Sequence, residues 1–250
     1  MANYENQPRY GVAASGAEGV VDAGLRAHML RVYNYMTVGL VLTGLFAFGT
    51  YSLAFNEVGG RAVPNALGQT LFGSGLVWVV MLAPLALVFF LSFRISKMSV
   101  GAAQVTFWGY AALLGVSLSF IFAAYTASSI TQVFFIAAAT FGAMSLWGYT
   151  TNRDLTGMGS FLFMGLIGII LASVVNIFIG SSAIGFAVSV IGVLVFTGLT
   201  AYDTQKIKNL YSVNDDGTVA GRKAIMGALT LYLDFLNIFL FMLQLFGDRR

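Results

Sequence analysis

The sequence predicts an all-α polytopic membrane protein, and three observations carry that prediction. Only 9% of the 250 residues are charged and 58% are hydrophobic, whereas a soluble domain is about a quarter charged. The apolar residues fall in continuous runs of about 20, the length an α-helix needs to cross a hydrocarbon core, and not in the ten-residue alternation of an outer-membrane barrel. The 29 Gly and 22 Phe are accompanied by only three Pro. That balance suits helices that approach closely through small residues and present aromatics to lipid and its interfaces.

Residues 1–25 combine Gly, Ala and polar types with Pro8. With so little apolar surface to bury they are expected to form a disordered tail. They lack the apolar core and cleavage site of a signal peptide. Residues 26–250 then read as one transmembrane domain. Its seven spans are predicted at residues 32–55, 71–91, 102–125, 130–149, 160–179, 183–202 and 224–246. The connections are short, so successive helices run antiparallel. The most polar of them covers residues 203–223, and none is long enough for a soluble domain.

Lys and Arg are distributed unevenly over the two sides. The tail and the second, fourth and sixth connections together carry ten, while the other side carries Arg61 plus Arg249 and Arg250 if the last run crosses. The excess predicts a cytoplasmic N-terminus. A last segment that re-entered would change the balance to twelve against one. However, its 23 residues make about 34 Å of helix, enough to cross, and seven crossings are preferred. The net charge of +3 is small and scattered, unlike the dense basic face of a nucleic-acid binder. The chain contains no Cys and a single His, His28, which lies before the first predicted span. Disulfides, iron–sulfur clusters and thiol nucleophiles are thus excluded, a histidine metal site has little to build on, and no cofactor is expected.

Two acids stand out. Asp234 lies ten residues into the last apolar run, about 15 Å deep, where a lone carboxylate costs about 2.5–3.5 kcal/mol even on a lenient insertion scale. It must be neutral, paired or facing a wet cavity. Asp203 ends the sixth run, one helical turn before Lys206, with which it could pair at the interface. If the acids met, they would share one proton, because two charges a few ångströms apart in low dielectric cannot both ionise cheaply. Losing that proton would leave two carboxylates suited to transient Ca²⁺ binding. The apolar boundaries alone put Asp203 about 15 Å too shallow for contact. Contact requires the sixth helix to continue to about Tyr211 and to sit deeper, with Thr204, Gln205 and Lys206 lining a wet mouth.

Two separated motifs resemble those of a known family. The first is Ala201-Tyr202-Asp203-Thr204-Gln205-Lys206 followed by Leu231-Tyr232-Leu233-Asp234-Phe235. The second is Met144-Ser145-Leu146-Trp147-Gly148-Tyr149-Thr150-Thr151 followed by Arg153-Asp154-Leu155. Together they are similar to the Bax inhibitor-1 (transmembrane Bax inhibitor motif) family, in its bacterial branch. The resemblance covers about residues 26–250. It implies a seven-helix fold whose last helix is central and a multi-pass location in the bacterial inner membrane. It also implies a paired-aspartate pH sensor, carried here onto Asp203 and Asp234, that gates a Ca²⁺ leak. A basic partner from the second helix is implied as well, for which Arg94 is the candidate.

Supporting roles are open to Asn237, one turn beyond Asp234, and to Tyr202 and Tyr232 as donors to the acids. Asn176 reads as a helix-bridging amide, Arg153 and Asp154 as an interfacial pair, and Pro84 as a bend in the second span. A pH-sensitive cation leak is therefore the expected function, with the lipid bilayer and Ca²⁺ as partners. The competing reading is an interaction protein that restrains a membrane protease or a stress or cell-death factor through its tail and the connection after the sixth span. An intramembrane aspartyl protease is disfavoured. Tyr202-Asp203 matches one half of that signature, but Asp234 lacks the Gly-x-Gly-Asp context of the other.

Overall fold

The computed structural model describes the backbone of residues 11–250 and the side chains from Ala23 onward. Helix α1 (Gly11–Ala54) leads into a hairpin of β1 (Phe55–Val58) and β2 (Arg61–Pro64). The hairpin turn is Gly59-Gly60, with φ of 59° and 78°. Two successive left-handed residues form the turn whose twist matches paired strands, and only Gly adopts them freely. Then come α2 (Ala66–Phe72), α3 (Leu76–Arg94), α4 (Val100–Leu118), α5 (Phe120–Ala124), α6 (Ala127–Thr150), α7 (Thr156–Ile179), α8 (Ser182–Asn209) and α9 (Gly217–Phe246). Helix α5 continues the direction of α4, so the bundle has seven apolar spans. Capping is conventional. Ser99, Thr126, Ser181 and Asp216 accept hydrogen bonds from the first-turn N–H groups of α4, α6, α8 and α9.

Three boundaries differ from the sequence expectation. The helix is already formed at Gly11, inside the tail assigned to residues 1–25, because extending an existing helix costs far less than nucleating one. The first ten residues of that tail lie outside the described residues. The predicted second span begins too early, since α2 is capped at Gly73 and α3 starts only at Leu76. The connection before it is the hairpin and α2, not an irregular loop. Finally, α8 and α9 extend past their apolar runs by about two turns each.

Helix α9 is the centre of the bundle. Its most apolar stretch is 67% buried, against 11% for α3 and for α7, and it packs on α8, α1, α6 and α4. It crosses completely. Its far end meets the hairpin side, where Thr126 N–H donates to Asp248 C=O, Arg250 N–H donates to Ala124 C=O, and the Arg250 guanidinium lies 2.8 Å from Glu57. The re-entrant alternative is thereby removed. The two ends of the bundle are called here the N-terminal face, where α8 ends and α9 begins, and the hairpin face.

Candidate functional site: an acid pair between two cavities

The first local requirement is that α8 be held at the right depth. The two sequence motifs interlock to do this. Gly148 of α6 lies against the backbone of Ala201, where any Cβ would collide with the Ala201 carbonyl. One turn later, Gln205 is clamped on the α6–α7 connection. Its Oε1 accepts from Leu155 N–H at 2.9 Å and its Nε2 donates to Arg153 C=O at 2.8 Å. Lys208 Nζ donates to Tyr149 C=O at 2.8 Å and lies over the Tyr149 ring. Asp154 makes no ion pair with Arg153. It instead accepts from Thr156 N–H and Oγ1 at the start of α7, and these bonds hold its carboxyl below the usual carboxylate range.

Behind Asp203, α8 is tied to α6 and α1 by a chain of hydroxyls. Thr204 Oγ1 spends its proton on Thr200 C=O at 2.7 Å, so it accepts from Ser145 Oγ at 2.9 Å, which in turn accepts from Tyr33 OH at 2.6 Å. Behind Asp234, Thr43 Oγ1 donates to backbone carbonyls of Gly39 and Ala111, so Tyr232 OH donates to Thr43 at 2.6 Å. These bonds satisfy polar groups that hydrocarbon would otherwise leave unpaired. They also fix both helices at the level of the acids. The hydroxyl chains have no periodic signature and are not readable from the sequence.

With the helices so placed, the carboxyl groups of Asp203 and Asp234 come within hydrogen-bonding reach of each other. Asp234 is only 4% exposed, and its Oδ2 has no donor among the described residues. The arrangement can therefore hold one proton between two carboxylates, with Lys206 as the cation whose charge acts on Asp203. Both acids line a cavity of about 1020 Å³ bounded by α3, α4, α7, α8 and α9. Asp203 also lines a second cavity of about 430 Å³ that lies toward the N-terminal face. Asp203, Lys206, Met226 and Thr230 are common to the two.

The supporting residues fall into two groups. Asn237, Tyr202 and Lys206 line the larger cavity with the acids. Asn237 Nδ2 is bonded to Leu233 C=O at 2.8 Å, and Lys206 Nζ sits 5.8 Å from the Tyr202 ring centroid. Tyr232, by contrast, spends its proton on Thr43, and Arg94 lines neither cavity. The cation that acts on Asp203 comes from one turn along α8 and not from the second span. Pro84 lies inside an unbroken α3 and lines the larger cavity. Asn176 Oδ1 accepts from Ser181 N–H across the α7–α8 turn. Among the described residues no three His, Cys, Asp or Glu side chains gather as a metal site. A divalent cation here would have the two aspartates and water or carbonyl oxygens as ligands.

Residues 25–250 match the family described as inhibitor of apoptosis-promoting Bax1. The chain belongs to the Bax inhibitor-1 family. Within it, the chain is 48% identical to the inner membrane protein YbhL of Escherichia coli, covering 91% of this chain and 94% of that one. It is 49% identical to an uncharacterized protein of Rickettsia prowazekii, covering 92% of each, and 36% identical to an uncharacterized membrane protein of Streptococcus pyogenes. As a family member with seven apolar spans, it is a multi-pass membrane protein, and the family is consistent with a channel or regulator in the membrane.

Proposed function

We propose that this protein is a pH-sensitive leak pathway for cations, most naturally Ca²⁺, gated by the proton shared between Asp203 and Asp234. The observation that carries the reading is the position of the pair, Asp234 buried and Asp203 half-buried, on adjacent helices at the junction of two cavities. With one proton between them the acids hold α8 and α9 together. Without it they carry two negative charges in a site of low dielectric, where they repel each other and attract a divalent cation. Along α9 the larger cavity ends at Asn237, so opening involves separation of α8 from α9 below the acids. Hard oxygen ligands and a site of few protein donors favour a cation that passes over one that stays. The N-terminal face is the cytoplasmic one in this reading, following the excess of Lys and Arg on that side.

The test is Ca²⁺ flux through purified protein in liposomes over a pH series. Wild-type flux is expected to rise as the shared proton is lost with increasing pH. Asp234→Asn, which can donate to Asp203 but never becomes a second negative charge, is expected to remove that pH dependence. Flux from the variant that matched wild type at every pH would end the proposal.

A further inference from the structure

The smaller cavity has a chemistry of its own that the acid pair does not explain. Its wall carries Lys206 from α8 and Arg222 and Lys223 from α9, against one acid, Asp203. A path for cations would not place three positive charges at its mouth without something to offset them. Two of these cations are held in place. Arg222 donates from Nε and Nη1 to the carbonyls of Met98 and Ser96 at 2.7 and 2.8 Å, and Lys223 Nζ bonds Leu210 C=O and pairs with Asp215. Lys206 is different. Among the described residues its Nζ has no hydrogen-bond or carboxylate partner, only the face of Tyr202.

The third wall is His28 of α1, which is 6% exposed, lies against the ring of Tyr211 and leaves Nε2 buried without a partner. Arg31 and Lys223 are close enough to act on it, opposed by Asp215. A buried imidazole nitrogen with no partner costs free energy unless something in the cavity meets it. His28, Lys206 and Arg222 line a space of about 430 Å³, and among the described residues neither His28 Nε2 nor Lys206 Nζ has a hydrogen-bond partner. What they fit is an oxyanion with several acceptor oxygens and negative charge, together with a small attached body.

We infer that this cavity is an anion site for inorganic phosphate or a phosphate monoester, held by His28 Nε2 and Lys206 Nζ in the field of Arg222 and Lys223. A consequence follows for the acids, and it rests on the leak reading. A bound phosphate neutralises the positively charged mouth, so the anion favours cation entry. The same chemistry has two sources, a soluble phosphate and the headgroup of an anionic lipid.

His28 is the only histidine of the chain, so imidazole labelling with ¹⁵N, in protein free of any histidine tag, yields a single reporter. In nanodiscs of phosphatidylcholine, inorganic phosphate at constant ionic strength is expected to move that resonance saturably. Lys206→Met is expected to weaken the response about tenfold, the loss of one charge-assisted hydrogen bond, while Lys206→Arg retains it. Nanodiscs containing phosphatidic acid, without free phosphate, identify the lipid source if they move the resonance and the soluble source if they do not. A resonance indifferent to both probes, or one shifted equally by chloride or in Lys206→Met, overturns the site. In liposomes, phosphate on the N-terminal side is expected to raise Ca²⁺ flux at least severalfold. Binding without that effect overturns the coupling alone, and flux unaffected by Asp234→Asn overturns the leak reading while leaving the His28 result intact.

Discussion

Single residues decide whether α8 sits at the level of Asp234. Gln205 is the clearest case. It is buried and bonded at both ends of its amide to the backbone of the α6–α7 connection. Gln205→Ala strands Leu155 N–H and Arg153 C=O, a loss of about 1–3 kcal/mol, which thermal unfolding in detergent would register as a lower midpoint. Because the clamp also sets the depth of Asp203, the variant is expected to flatten the pH profile of flux as well as to lower stability. Ser145→Ala breaks the hydroxyl chain between Tyr33 and Thr204 and should act in the same direction, more weakly, since Thr204 keeps its bond to Thr200 C=O.

Between elements, the contact that matters most is α6 against α8. In hydrocarbon there is little hydrophobic force to press helices together, and close packing of small residues takes its place. Gly148 supplies that closeness at Ala201, within three residues of the acid. Gly148→Ala places a methyl group on the Ala201 backbone and forces the helices apart, an overpacking cost of about 1–3 kcal/mol. Unfolding in detergent measures the cost. An increase in pH-independent flux is the functional expectation, because a displaced α8 no longer presents Asp203 to Asp234. Helix α3 is the opposite case. It packs along α4, and toward α7 the larger cavity lies between the two helices, lined by Phe89 of α3 and Phe163 of α7.

For the whole molecule, both ends are closed by polar contacts that can be tested separately. On the hairpin face, the Arg250 guanidinium, followed by the Tyr51 hydroxyl, holds the Glu57 carboxyl below the usual carboxylate range. A lowered folded-state value contributes stability above the unfolded value and loses it as pH falls through the folded one. The pair is therefore expected to release only as pH falls below the ordinary glutamate range. Since Glu57 is exposed, the effect is local. Amide exchange at Asp248 and Arg250 should quicken while the global unfolding temperature stays put. Orientation is equally open to test, because a chain without cysteine reports cleanly on single introduced ones. Val213→Cys is expected to react with an impermeant thiol reagent only from inside the cell, and Arg61→Cys only from outside. Both sites are exposed on opposite faces.

Composition and run length alone determined that this is a seven-span helical membrane protein, because the hydrocarbon thickness and the need to pair every backbone group leave one solution for 20-residue apolar runs. The Gly59-Gly60 hairpin turn is likewise encoded locally, since paired left-handed residues call for Gly. Asp203 and Asp234 were conspicuous for the same reason as the spans, since a carboxylate in lipid is costly wherever it appears. Only the tertiary structure decided that they meet. Apolar run lengths mark where lipid contact ends, not where a helix ends, and α8 and α9 continue two turns further on contacts to protein, through Gln205 and Lys208 of α8 and Arg222 and Lys223 of α9. The same limit hid the unpartnered nitrogen of His28. Which side chain faces which across two helices depends on their rotation and depth, and no spacing along one chain encodes either.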